Sequence, residues 1–127
     1  MVGTEDGFGT AAGWGVVRGA VMAVGKAGDQ VVAAGGLFGC CLYGIEHVLP
    51  RYGVIVNFVD GTDLEQWRTA ITADTRAVFF ESIPNPALEV INIKAVSDLA
   101  HEEGALVVVD NVFATPVFSR AVEHGAD

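Results

Sequence analysis

Asp110 closes a short apolar run, Ala105–Val109, within the stretch ALVVVDNVFATP (Ala105–Pro116). A run this short and β-branched reads as a strand buried on both faces, the kind that belongs to a parallel sheet covered by helices. In open α/β sheets ligands sit at the carboxyl ends of the strands. Asp110 is therefore either a site carboxylate or a cap for the turn it makes with Asn111, since Asx residues favour turns. Glu81 and Asn85 follow another strand, Arg76–Phe80, and fall on the same rim. Phe38 follows the strand Gln30–Ala34 and could stack on a flat ring. Gly13-Trp14-Gly15 opens a helix, where unpaired N–H groups and the dipole favour an anion; the glycines could equally serve helix packing. Strand ends thus present a stacking ring, an amide donor and a carboxylate. A flat, cationic heteroaromatic carrying a phosphate would satisfy all three together with the amides near Gly13.

Other chemistries fit less well. The dinucleotide fingerprint needs a strand directly before its glycines, and Met1–Thr10 (MVGTEDGFGT) is loop-like. LVVVD could hold magnesium in a nucleoside triphosphatase, but Gly25-Lys26 is followed by Ala27 and does not complete a phosphate loop. His47, His101 and His124 share no metal-ligand spacing and read as surface residues. Cys40 and Cys41 lack an identifiable base for nucleophilic catalysis, and no GxSxG elbow occurs.

These residues need a scaffold to converge. Apolar positions Trp14, Val17, Val21 and Val24 predict a helix over Ala11–Lys26, weakened by interior glycines at about 0.5–1 kcal/mol each. Gln30–Ala34 predicts a buried strand and Phe38–Tyr52 an amphipathic helix bending at Pro50. Val54–Val59 predicts a strand, and Asp63 a cap for the helix Leu64–Ile71. After the strand Arg76–Phe80, Glu81–Pro86 must be a loop because Pro84 and Pro86 forbid a regular element. Asn92–Glu103 predicts a helix stopped by Gly104, and the Asp110 strand follows. Regular alternation of helix and strand implies right-handed crossovers and a mostly parallel, three-layer α/β sheet.

Composition narrows the partners. Seven basic against sixteen acidic residues give a formal net charge of −9, which disfavours nucleic acid and anionic membrane surfaces. Adjacent cysteines rarely form a disulfide and read as free thiols of a reducing compartment. No apolar run approaches the length of a membrane span, so a soluble, cytoplasmic protein is expected.

The order of motifs resembles a family. Leu37-Phe38-Gly39, Leu49-Pro50 with Arg51–Val54, Phe58–Glu65 (FVDGTDLE), Val78–Ser82 (VFFES), Asn85-Pro86, Gly104–Pro116 and Gly125-Ala126-Asp127 are similar to the pyridoxal-phosphate-dependent transsulfuration enzymes. Within that family the chain looks most like the O-succinylhomoserine sulfhydrylase branch, with cystathionine γ-synthase and methionine γ-lyase as relatives. The resemblance implies the large domain of an aspartate-aminotransferase-like (fold type I) transferase, here one incomplete domain over 1–127. It implies pyridoxal 5′-phosphate as cofactor, weakly held or absent in this chain alone. Asp110 matches the aspartate that pairs with the pyridine nitrogen and makes the ring an electron sink. Asn85 matches the asparagine near the ring hydroxyl, Phe38 the stacked aromatic, and Gly13-Trp14 a Gly-Met pair whose backbone amides bind the phosphate. Ala12 stands where the family usually has serine, and Ile83-Pro84-Asn85-Pro86 where it reads PSNP or PANP.

The family carries a Ser-x-Thr-Lys motif beyond its GAD, and that lysine bonds covalently to the cofactor. Lys26 and Lys94, placed on helices away from the rim, are not expected to replace it. Two functions follow. One is a piece of a sulfhydrylase, in which sulfide replaces succinate on O-succinylhomoserine to give homocysteine, inactive alone. The other is a non-catalytic product that associates with itself or a full-length subunit through an unpaired sheet edge. A homo-oligomer handling a small amino-acid substrate is expected for the complete enzyme.

Overall fold

The computed structural model describes residues 4 and 6–127. The loop expected over Met1–Thr10 lies partly outside the described residues; its described part forms no regular element. Four strands, β1 (Gln30–Ala34), β2 (Ile55–Val59), β3 (Thr75–Glu81) and β4 (Leu106–Asp110), form one sheet in the order β2-β1-β3-β4. Every neighbouring pair is parallel. The central strands are the most apolar: β1 buries Val31 to Ala34 and β3 buries Ala77 to Glu81. Edge strand β2 buries only Val59.

Alternation along the strands divides the core in two. Val31, Ala33 and Phe79 face one side, packing on helix α1 (Gly13–Val24) through Val17 and Val21 and on α2 (Gly39–Tyr43) through Cys41. Val32, Val78, Phe80 and Val107 face the other side, packing on α3 (Leu64–Ala70) and α4 (Ile93–Glu102) through Trp67, Val96 and Ala100. This gives the three layers that the alternation implies. Trp67 is fully buried, edge-on to Phe80 at 5.7 Å between ring centroids, and its indole N–H donates to the Gly61 carbonyl at 3.0 Å.

Helix ends follow local chemistry. Asp63 accepts from the N–H groups of Glu65 and Gln66, as expected of a cap, and Asn92 accepts from that of Ala95 at 3.1 Å. Gly104, at φ +77°, turns the chain after α4. A four-residue helix, α5 (Thr115–Phe118), and a 3₁₀ turn (Ala121–His124) complete the chain.

Three expectations need correction. Phe38–Tyr52 is not one α-helix: α2 passes into a π-helical turn (Gly44–Val48) and then a 3₁₀ turn (Leu49–Tyr52). Pro50 has no N–H to continue an α-helical ladder. Leu49 instead donates five residues back to Gly44, and Gly53 closes the last turn at φ +80°. Glu81, expected in the loop, is the last residue of β3, in register with Asp110. Lys26 lies just past α1 rather than on it.

Candidate functional site

A cleft of about 400 Å³ opens at the carboxyl ends of β3 and β4, under the first turns of α1 and α2. Gly13, Trp14, Phe38 and Asp110 all border it, and its apolar walls include Val17, Phe79 and Val108. The crossover connections bring together here residues nearly a hundred positions apart.

Gly13 and Trp14 occupy the first two positions of α1, where main-chain N–H groups have no partner within the helix. The preceding Ala12 is extended and supplies no side-chain cap, so these donors remain available to an anion. The bulk of Trp14 is accommodated by a second glycine. Its indole lies against Gly44, where a Cβ would come within 1.9 Å of the ring. The side chain is thus directed onto the helix segment opposite. Phe38 is the N-cap residue of α2, its ring half exposed beside the cleft.

Asp110 makes the turn that the sequence allows and borders the cleft. One carboxylate oxygen accepts from the Val112 N–H at 3.0 Å, the Asx turn; the other has no partner among the described residues. Asn111 is more than a turn residue: its carbonyl oxygen accepts from the Ser82 hydroxyl at 2.7 Å and its amide donates to the Ser119 carbonyl at 2.7 Å. Asn111 thereby ties the end of β3 to the segment after α5. A hydrogen-bonding side chain directly after a rim carboxylate was the one sequence signal for this role.

Asn85 does not line the cleft. It is half-buried, joined to Pro86 by a cis peptide bond, and connected to the cleft through Glu81. The Glu81 carboxylate is buried. It accepts from the Phe38 N–H at 2.6 Å and, through its other oxygen, from the Asn85 N–H at 3.4 Å. Burial pushes the Glu81 carboxyl above its usual range; the Phe38 N–H opposes this and the nearby Asp110 charge reinforces it.

Cys41 is buried, and that burial, with a contribution from Asp110, pushes its thiol up to about 12. A thiol so protonated is no nucleophile at neutral pH. His47 lies 3.6 Å from Glu46, and His101 pairs with Asp127 at 3.0 Å. Among the described residues no cluster could hold a metal ion. Lys94 is engaged by Asp98 at 2.8 Å on α4, and neither it nor Lys26 lines the cleft. No helix among the described residues is long and apolar enough to cross a membrane.

The family model for "Cys/Met metabolism PLP-dependent enzyme" matches residues 1–127. The chain belongs to this family. Members of this PLP-dependent family similar to the chain include the O-succinylhomoserine sulfhydrylase of Mycobacterium tuberculosis, 46% identical over 98% of the chain and 31% of that relative. The L-methionine gamma-lyase of Fusobacterium nucleatum subsp. nucleatum is 39% identical over 97% of the chain and 31% of its own length. Among solved structures, cystathionine gamma-lyase from Lactobacillus plantarum, complexed with L-serine, superimposes with a TM-score of 0.86 at 31% identity. That match covers 92% of the chain and 30% of the neighbour. A Campylobacter jejuni protein assigned as an O-acetylhomoserine (thiol)-lyase, with N′-pyridoxyl-lysine-5′-monophosphate, gives 0.88 at 28% identity, covering 92% and 28%. The fold is that of the fold type I PLP-dependent enzymes, an incomplete α/β domain spanning about a third of the relatives' length.

The donor set suits the family's cofactor. A flat ring would meet apolar walls and the Phe38 ring, an anionic end the free N–H groups of α1, and a protonated ring nitrogen the uncapped oxygen of Asp110.

Proposed function

We propose that residues 1–127 form part of the cofactor-binding domain of a PLP-dependent sulfhydrylase that replaces succinate on O-succinylhomoserine with sulfide. The observation that carries the cofactor assignment is the single cleft bordered by Asp110, Phe38 and the first turn of α1. The 46% identity to a sulfhydrylase supports the choice of reaction. Bound pyridoxal phosphate supplies the electron sink for charge developing on the substrate.

In this reading Asp110 holds the proton on the pyridine nitrogen with its free oxygen, while the Asx turn fixes the carboxylate. A charge-assisted contact of this kind is worth about 1.5–3 kcal/mol. Gly13 and Trp14 receive the phosphate on their main-chain N–H groups, which tolerates the tryptophan side chain. Phe38 covers one ring face and excludes water. The resemblance pairs Asn85 with the ring hydroxyl; set back from the cleft wall, it would reach that group only from outside the lining. With no lysine lining the cleft, the 127-residue chain alone is expected to bind the cofactor without a covalent bond and without turnover.

Titration of the chain with pyridoxamine 5′-phosphate, which has no aldehyde, tests the assignment through cofactor absorbance and tryptophan fluorescence. Asp110→Asn should weaken binding at least about tenfold. Equal affinity for wild type and variant would refute the role given to Asp110.

A second reading, self-association without catalysis, draws on exposed apolar residues after β4: Val112, Val117 and Phe118 are 77%, 83% and 88% exposed. Surface of this kind marks association sites. Sizing chromatography discriminates, because a monomer at all concentrations counts against it.

A further inference from the structure

Glu81 is a buried carboxylate that the proposed chemistry does not use. Burying a carboxylate is costly unless it is well hydrogen-bonded. Glu81 sits beside a second carboxylate, Asp110, in the paired register of β3 and β4. Among the described residues it makes no ion pair. A side chain needed only to close a turn would be cheaper as an amide or an apolar residue.

Its two hydrogen bonds explain the residue type. One oxygen takes the N–H of Phe38, the other the N–H of Asn85. Both groups are donors, so the bridge needs two acceptors and no donor. Glutamate offers that; glutamine would turn an NH₂ group towards one of the two N–H groups. The bridged residues are not arbitrary. Phe38 carries the ring at the cleft wall, and Asn85 is the residue that the resemblance pairs with the cofactor hydroxyl, here set back from the cleft. β3 also holds the bridge in register with Asp110, the third group.

We infer that Glu81 is a positioning residue that bridges the main-chain N–H groups of Phe38 and Asn85 and so ties the ring at the cleft wall to the loop that carries Asn85, beside Asp110 on the neighbouring strand. The inference rests on the reading of the cleft as a pyridoxal-phosphate site. Its chemistry is indirect: Glu81 touches neither cofactor nor substrate and acts through the two residues it holds. The raised affinity of its carboxyl for a proton fits such a group, kept in a costly place by its hydrogen bonds.

The test uses the full 127-residue chain and pyridoxamine 5′-phosphate, with dissociation constant, induced circular dichroism of the bound chromophore and thermal unfolding midpoint read together. Glu81→Gln keeps the shape, removes a buried charge next to Asp110 and breaks one arm of the bridge. It should weaken binding about tenfold and diminish the induced dichroism, while the unfolding midpoint of the free chain stays level or rises. A merely structural role would move affinity and midpoint down together, and that outcome overturns the inference. So does a Glu81→Gln variant that binds within a factor of about two of wild type with the same dichroism. If wild type itself shows no saturable binding, the cofactor reading falls and takes the inference with it. If wild type binds and Asp110→Asn does not, the cofactor reading stands, and Glu81 is judged on its own variant. Amide hydrogen exchange on the wild-type chain gives a check independent of any variant: Phe38 and Asn85 should both be protected, and free exchange at both refutes the bridge.

Discussion

Gly44→Ala sets backbone propensity against packing. Gly44 has ordinary right-handed helical angles, φ −63° and ψ −44°. Propensity alone therefore favours alanine by about 0.5–1 kcal/mol. The Trp14 ring occupies the space the new methyl would take, with ring atoms 1.9, 2.5 and 3.1 Å from an ideal Cβ. Real Cβ contacts do not come that close, so α1 and the π-helical turn must separate or the indole must leave its seat. Overpacking of this kind costs about 1–3 kcal/mol. The expected net loss is about 1–2 kcal/mol, and the unfolding midpoint should fall by about 3–5 °C per kcal/mol for a chain of this length. Because Trp14 is in the first turn of α1, pyridoxamine 5′-phosphate affinity should fall as well. A double-mutant cycle with Trp14→Ala isolates the clash. Trp14→Ala alone loses a half-buried ring, but in its presence Gly44→Ala should become neutral or stabilising, giving a coupling of about 1–3 kcal/mol. Additive effects, or a single Gly44→Ala variant more stable than wild type, would refute the packing account.

Trp67→Ala should cost about 3–5 kcal/mol, since it empties a fully buried site and leaves the Gly61 carbonyl without its donor; urea unfolding measures it. Ser97 is buried and its hydroxyl has no partner among the described residues, so Ser97→Ala should raise stability by about 1 kcal/mol in the same assay. Glu81 imposes a pH dependence. Its folded-state pKa is raised above the ordinary 4.5, so its contribution is fully present below that value and is lost as pH rises through the raised one. Glu81→Gln should therefore gain stability relative to wild type as pH increases across that interval, and a difference independent of pH would contradict the assigned shift.

Much of the fold is legible because local pattern and global topology agree. β1, β3 and β4 are short, apolar and punctuated by glycine, proline or Asx turns, and Asp63, Asn92 and Gly104 end their helices by local chemistry. That Asp110 ends such a strand was legible, and the structure sets it at the border of the cleft. The misses share a physical cause: they depend on contacts between distant positions. Glu81 looks like a loop residue beside two prolines, and only pairing with Asp110 extends β3 through it. Gly44 looks like an ordinary helix glycine until Trp14, thirty residues earlier, is seen to need its space. The π-helical turn depends on where Leu49 and Pro50 must sit against the sheet. Asn85 carries the family's motif but stands off the cleft, since its neighbours Pro84 and Pro86 and its bond to Glu81 fix the loop.

The division of the core by the sheet has a consequence for how such a sequence can change. Val17, Cys41 and Phe79 both pack the α1 side and wall the cleft, so substitutions there trade folding against ligand geometry. Trp67, Val96, Ala100 and Ser97 lie beyond the sheet, among residues that do not border the cleft. Improvements on that side accumulate without disturbing the cleft, giving the chain a reserve against which costly changes on the other side can be tolerated. A search for new substrate preferences would best begin from a background already reinforced at α3 and α4.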